Sequence, residues 1–196
     1  MTDVSPSMTI GPFFHFAMTE GSRGDGDIAT GNMLTPDAAG ERIRIVGRVI
    51  DGKNLPLTGA LIELWQADGQ GRYAAPGDPR RASNSSFRGF GRCPTDDAGN
   101  FVFDTVRPGA VPGPGGKAQA PHIAVILHGR GLLRNAVTRI YFPDEAANAT
   151  DHVLSLVPSE ARSILIARRE ADQGGVKVYR FDIELQGPRA MQFFEV

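Results

Sequence analysis

Four histidines (His15, His122, His128 and His152), three tyrosines (Tyr73, Tyr141 and Tyr179) and one cysteine, Cys93, are the residues from which this chain could build a metal or redox centre. Imidazole and phenolate both ligate transition metals, but only where several of them converge. His122 and His128 bound the run His122-Ile123-Ala124-Val125-Ile126-Leu127-His128, which reads as a strand. They share a face, yet six residues apart they stand roughly 20 Å from each other and cannot hold one ion. An H-x-H pair would bring two imidazoles within about 7 Å on one face. Here the partner position is Ala124, so a metal held wholly by this chain is not expected. Cys93 has no second cysteine for a disulfide or a zinc site, and a lone thiol suits a reducing cytoplasm. Its plainer reading is a half-buried structural thiol.

Arg130 is the single charge that stands out, in Gly129-Arg130-Gly131. Flanking glycines let the backbone come close to another group and leave the side chain free to reach. A guanidinium presented in this way suits a carboxylate; an ordinary solvated loop arginine is the competing reading. Other chemistries lack their motifs. There is no G-x-S-x-G elbow, no phosphate-binding loop and no dinucleotide fingerprint. Asp96-Asp97 sit in a turn and read as turn-formers.

The elements that would position these residues are mostly strands. Arg42 to Tyr73 reads as two strands joined by the turn Asp51-Gly52-Lys53-Asn54. The second, ending at Trp65, is apolar on both faces, which places it inside a sandwich rather than at an edge. A long loop runs from Ala74 to Arg92. Phe101, Phe103 and Thr105 alternate with Val102, Asp104 and Val106 after a strong turn, and Thr138 to Phe142 forms a further strand. Pro143-Asp144-Glu145 could open a short helix and Asp151 to Val157 another. Ile164 to Ala167 and Val176 to Leu185 read as a hairpin across Gly174-Gly175. Phe193, Phe194 and Val196 read as a last short strand. Residues 1–14 are extended by Pro6 and Pro12, and Phe13 and Phe14 must bury against the chain's own domain or a partner. The expected fold is mainly β: an antiparallel β-sandwich core with long loops, an extended N-terminal arm and one or two short helices. It is expected as one domain over 1–196, with arm and loop at 1–41 and the core at 42–196.

Composition closes off other classes. The net charge is −1 with lysines and arginines scattered, so nucleic acid is not an expected partner. No apolar run approaches the ~20 residues of a membrane helix. The first residues lack a basic segment followed by an apolar core, so no signal peptide is expected.

The turn Gly47-Arg48-Val49-Ile50-Asp51-Gly52 and the run Glu63-Leu64-Trp65-Gln66-Ala67-Asp68-Gly69-Gln70-Gly71-Arg72-Tyr73 resemble the signature of the intradiol ring-cleaving dioxygenases. Further stretches (Ser5 to His15, His128 to Gly131, Thr138 to Glu145 and Phe181 to Gly187) are similar to the metal-free chain type of a two-chain member of that family. The resemblance implies a sandwich around a non-haem Fe(III) held by two tyrosinates and two histidines, the hard ion explaining the phenolates. The family histidines come from an A-H-I-H run and one tyrosine from P-G-x-Y-P. This chain instead has Pro121-His122-Ile123-Ala124 and Pro108-Gly109-Ala110-Val111-Pro112. Only His122 remains, with Tyr73 standing for the other tyrosine.

The resemblance therefore implies that Fe(III) is bound by a homologous partner chain and not by this one. It also implies that Thr9, Gly11, Pro12 and Phe13 line the partner's substrate pocket and that Arg130 reaches the carboxylate of a catechol-type substrate. With O2, that substrate would open between its two hydroxyl-bearing carbons. It further implies a hetero-oligomer of such pairs, and favours packing of the arm's phenylalanines on the partner. The competing expectation is a sandwich interaction module that keeps the fold without a catalytic role.

Overall fold

The computed structural model describes residues 11, 18 and 29–195. Among them the chain forms β1 (Arg42–Ile50), β2 (Leu61–Trp65), β3 (Phe90–Pro94), β4 (Asn100–Val106), β5 (Val111–Pro112) and β6 (Ala118–Gln119). It continues through β7 (His122–His128), β8 (Ala136–Tyr141), the helix α1 (His152–Leu156), β9 (Arg168–Gln173), β10 (Val176–Arg180) and β11 (Ile183–Glu184). β1 alternates buried and more exposed side chains over its length, as a strand with one face on a core must. It pairs antiparallel with β4, Ile45 opposite Phe103. Its other side pairs in parallel with β10 and, further along, with β11; β9 adds an antiparallel edge to β10. The second sheet is antiparallel throughout, in the order β3-β2-β7-β8. Ile43, Ile45, Phe101 and Phe103 of the first sheet share one core with Ile62, Leu64, Ile123, Val125 and Leu127 of the second. β5 and β6 form a separate two-stranded ribbon just ahead of β7.

The strands thus form the expected mainly antiparallel β-sandwich, but several boundaries differ from the sequence reading. β1 and β2 are not a hairpin. Asp51 Oδ1 accepts from the N–H groups of Lys53 and Leu55, and Leu57 N–H returns to Val49 O, so the turn closes on β1 alone. The chain then crosses to the other sheet, where β2, apolar on both faces, takes the centre between β3 and β7. The long loop ends at Gly89, because Phe90–Pro94 pairs with β2. Ile164 lies in a 3-10 turn (Arg162–Leu165), and the hairpin's first strand is β9 instead. β9 is Arg-Arg-Glu-Ala-Asp-Gln, an exposed edge held by the ion pairs Arg180–Glu170 and Arg168–Asp182, so it has no apolar period to read. The helix expected at Pro143 starts three residues later as a 3-10 turn (Ala146–Thr150), capped by the Glu145 carboxylate. The final strand reduces to one bridge between Phe194 and Val137; Val196 lies outside the described residues.

Gln66 and Asp151 tie the sheets to the loops around them. Gln66 is fully buried; its amide donates to Val106 O and Ala67 O, and its oxygen accepts from the Thr105 hydroxyl. Asp151 caps α1 by accepting from Leu154 N–H at 2.7 Å. The same carboxylate accepts from the Tyr141 hydroxyl at 3.0 Å and from Ala120 N–H at 2.8 Å. It therefore fixes the entry to β7 and the end of β8 at once. Asp151→Ala leaves these donors unpaired in a buried place and is expected to cost about 3 kcal/mol, read as a fall in the urea midpoint. Asp151→Asn keeps an acceptor and recovers part of the loss. A change under ~1 kcal/mol would contradict this role for the carboxylate.

Candidate functional site

The alternation of β7 sends Ile123, Val125 and Leu127 to the core and His122, Ala124, Ile126 and His128 to the opposite face of the sheet. Cross-strand register then decides which residues meet there. Tyr141 stands opposite His122, and Arg139 opposite Ala124. On the other side of β7, Trp65 is opposite Ala124 and its indole stacks on Tyr73, with centroids 5.9 Å apart and planes 7° from parallel. In the β5–β6 ribbon Val111 faces Gln119, whose Oε1 accepts from Arg139 Nη1 at 2.8 Å. The two surviving candidates, Tyr73 and His122, and the two substituted positions, Val111 and Ala124, are thus connected through Arg139 and its direct neighbours.

His122 is buried, and its Nδ1 lies 2.8 Å from the carbonyl oxygen of Ala120. A carbonyl can only accept, so Nδ1 carries the hydrogen and Nε2 keeps the lone pair. Burial, reinforced by the positive charge of Arg139, lowers the His122 pKa below the ordinary imidazole value. Burial raises the phenol pKa values of Tyr73 and Tyr141, while Arg139 pulls each in the other direction. The Tyr141 hydroxyl donates to Asp151, and the charge of Arg139 acts on its phenol as well. The guanidinium therefore acts on three ring side chains together.

These residues do not fit a four-donor Fe(III) site. Ala124 and Val111 offer no donor atom, and Val111 is buried. Among the described residues no three His, Cys, Asp or Glu side chains gather where they could hold an ion. A neutral imidazole with Nδ1 fixed to a carbonyl is how a metal-binding histidine is oriented, but here the nearby cation belongs to the protein.

Arg130 lies elsewhere. It follows His128 in the β7–β8 turn, so by strand geometry it is more than about 20 Å from His122. Gly131 has φ +87°, a conformation that a side chain at that position would oppose. Arg130 is exposed, and among the described residues its guanidinium makes no hydrogen bond or ion pair. Gly11 is exposed, and among the described residues nothing lies within 4 Å of where a Cβ would stand. Thr9, Pro12 and Phe13 lie outside the described residues. Cys93 is part-buried, and burial raises its thiol pKa, consistent with a structural thiol.

Two features escaped the sequence reading. Arg139 sits in an alternating strand where an outward arginine reads as solvated; only the β7–β8 register brings it to Ala124. Glu63, within the signature run, is a buried carboxylate shared by Arg92 (Nε to Oε1, 2.5 Å) and His128 (Nε2 to Oε2, 3.1 Å). Its partners come from β3 and β7, so no local spacing could reveal them.

Comparison with known proteins gives one consistent group. The family model described as Dioxygenase matches residues 11–187. The protocatechuate 3,4-dioxygenase alpha chain of Burkholderia cepacia is 42% identical over 197 residues, spanning 98% of this chain and 97% of that one. The protocatechuate 3,4-dioxygenase beta chain of the same organism is 37% identical over 169 residues, 83% of this chain and 72% of that one. Among solved structures, the dioxygenase domain of a dioxygenase carbohydrate-binding protein fusion from Streptomyces sp. SirexAA-E superposes with a TM-score of 0.62 at 26% identity, covering 93% of this chain and 98% of that one.

The Glu63 cluster carries a pH signature. Hydrogen bonding from His128, aided by Arg92, holds the Glu63 carboxyl below its ordinary pKa against the opposing effect of burial. A depressed carboxyl pKa stabilises the fold above the unfolded value of about 4.3 and loses that contribution as pH falls through the lower folded value. Glu63→Gln should cost about 2 kcal/mol at pH 7 and lose less on acidification to pH ~3.5 than the parent. Denaturant midpoints at both pH values decide this; an equal acid loss in both proteins would contradict it.

Proposed function

We infer that this chain, which belongs to the intradiol dioxygenase family, is the alpha-type subunit of a protocatechuate 3,4-dioxygenase and completes the substrate pocket of an iron-bearing beta chain. The observation that carries this reading is the separation of two ends of β7. At the His122 end the donor set is broken and a guanidinium stands among the remaining rings. At the far end Arg130 is exposed on a glycine-flanked turn, with no partner for its guanidinium among the described residues. A charge placed so far from the chain's own remnant site is suited to serve a site on another chain.

The reaction is that of the relatives named above: protocatechuate and O2 give 3-carboxy-cis,cis-muconate. The bond between the two hydroxyl-bearing ring carbons breaks, and both oxygen atoms remain in the product. The family is iron-dependent, and here the iron is assigned to the beta chain; no step is assigned to a metal on this one. Arg130 meets the substrate carboxylate through a charge-assisted hydrogen bond. Thr9, Gly11, Pro12 and Phe13 of the arm line the pocket from the alpha side. These contacts raise the rate by orienting the ring for oxygen rather than by bond-making chemistry. The chain acts as one domain with residues 1–41 as arm and loop, in a hetero-oligomer of alpha–beta pairs. The lone part-buried Cys93 suits a cytoplasmic setting. No helix among the described residues is long and apolar enough to cross a membrane.

Iron content and visible absorption test the assignment. The chain purified alone is expected to be colourless and iron-free. Co-expressed with its beta chain, it should give iron, tyrosinate-to-Fe(III) colour and protocatechuate-dependent oxygen uptake. Colour and turnover in the lone chain would overturn the reading. In the complex, Arg130→Ala should weaken protocatechuate binding by about 2–3 kcal/mol, roughly 30- to 150-fold. Catechol, which lacks the carboxylate, should be much less affected, and equal losses would remove Arg130 from that role.

A further inference from the structure

The site that would hold a metal is not vacant of positive charge. Arg139 lies directly across from Ala124, the position at which the H-x-H pair fails, and hydrogen-bonds to Gln119, the cross-strand neighbour of Val111. Tyr141 stands two residues further along β8, opposite His122. His122 is held with Nδ1–H on the Ala120 carbonyl, so its lone pair is on Nε2. We propose that Arg139 is an intrachain substitute for the metal ion, its guanidinium supplying the cation around which Tyr73, Gln119, His122 and Tyr141 are arranged and closing that position to metal ions.

Several features make an arginine suited to this. A guanidinium stays protonated throughout the working pH range, so the exclusion does not lapse on mild acid or base. Its planar set of five donors can hold an amide oxygen, as it does here with Gln119, and still present its charge to the neighbouring rings. Metal ligation needs a converging set of lone pairs; a fixed cation beside them repels an incoming ion. Loss of donors at positions 111 and 124 then accounts for only part of the absence of a site. Restoring a donor while Arg139 remains should not restore metal binding.

This extends the subunit reading above, and its test is separate from the test of that reading. The holo complex with iron on the beta chain serves as the blank, and Zn(II) is the probe. Ala124→His recreates an H-x-H pair with His122, a spacing of about 7 Å that a divalent ion can bridge. In the complex, A124H with Arg139 present is expected to add no Zn(II) beyond the blank. A124H/R139Q is expected to take up one Zn(II) per pair, at least tenfold more tightly by calorimetric titration. Zn(II) uptake by A124H equal to that of the double variant overturns the proposal. So does an absence of uptake by both when both assemble and melt cooperatively. If A124H does not assemble, substitutions of Arg139 in the otherwise native complex give the answer. Arg139→Met should lower Tm, and Arg139→Lys should recover most of the loss. A Met variant as stable as the parent would show that the site is not built around that cation. Failure of the subunit reading would appear elsewhere, as iron and turnover in the native chain purified alone.

Discussion

Successive side chains of a β-strand must point to opposite faces, and in β7 this constraint organises the molecule. It commits Ile123, Val125 and Leu127 to the core between the sheets. By doing so it commits His122, Ala124 and His128 to the other face, whatever chemistry they carry. A slip of one residue in register would bury the histidines and expose the core set, so the hydrophobic energy of the sandwich fixes the geometry of the site. Asp151 adds the finer adjustment, joining the start of β7, the end of β8 and the first turn of α1 with one carboxylate.

The same sheet divides the chain's polar chemistry into separate places. One end of β7 has a neutral histidine, two phenols of raised pKa and an arginine. Its middle and far end meet the Glu63–Arg92–His128 cluster, and the turn beyond carries Arg130. Because strand residues are spaced about 3.3 Å apart, these places cannot merge into one centre. A chain built in this way can support a site without containing it, which is what the loss of two donor positions with an otherwise retained fold requires.

Much of the sandwich was legible in the sequence because its strands are either apolar on both faces or alternate cleanly. β2, β4, β7 and β8 fall where the pattern puts them. The misreadings share a physical cause. β9 is an edge strand whose side chains meet solvent and ion pairs, so no hydrophobic period marks it. β1 and β2 have the local marks of a hairpin, but whether two strands pair or part depends on β4, β10 and β7, which arrive much later in the chain. The site divides similarly. The missing H-x-H partner at Ala124 can be read from the residues, the change at Val111 only through the family resemblance, and Arg130 stands out between its glycines. Arg139 and Glu63 cannot, because their significance lies in neighbours across the sheet.

The guanidinium at the remnant site also changes what the fold depends on. A bound ion stabilises a protein by mass action, so its contribution rises and falls with the free ion, with chelators and with oxidation state. Arg139 is part of the polypeptide, and its concentration beside His122 is fixed by the backbone. The region is therefore complete as soon as the strands pair. This half of the assembly can mature without waiting for iron, and it holds its shape through any shortage that empties a true metal site.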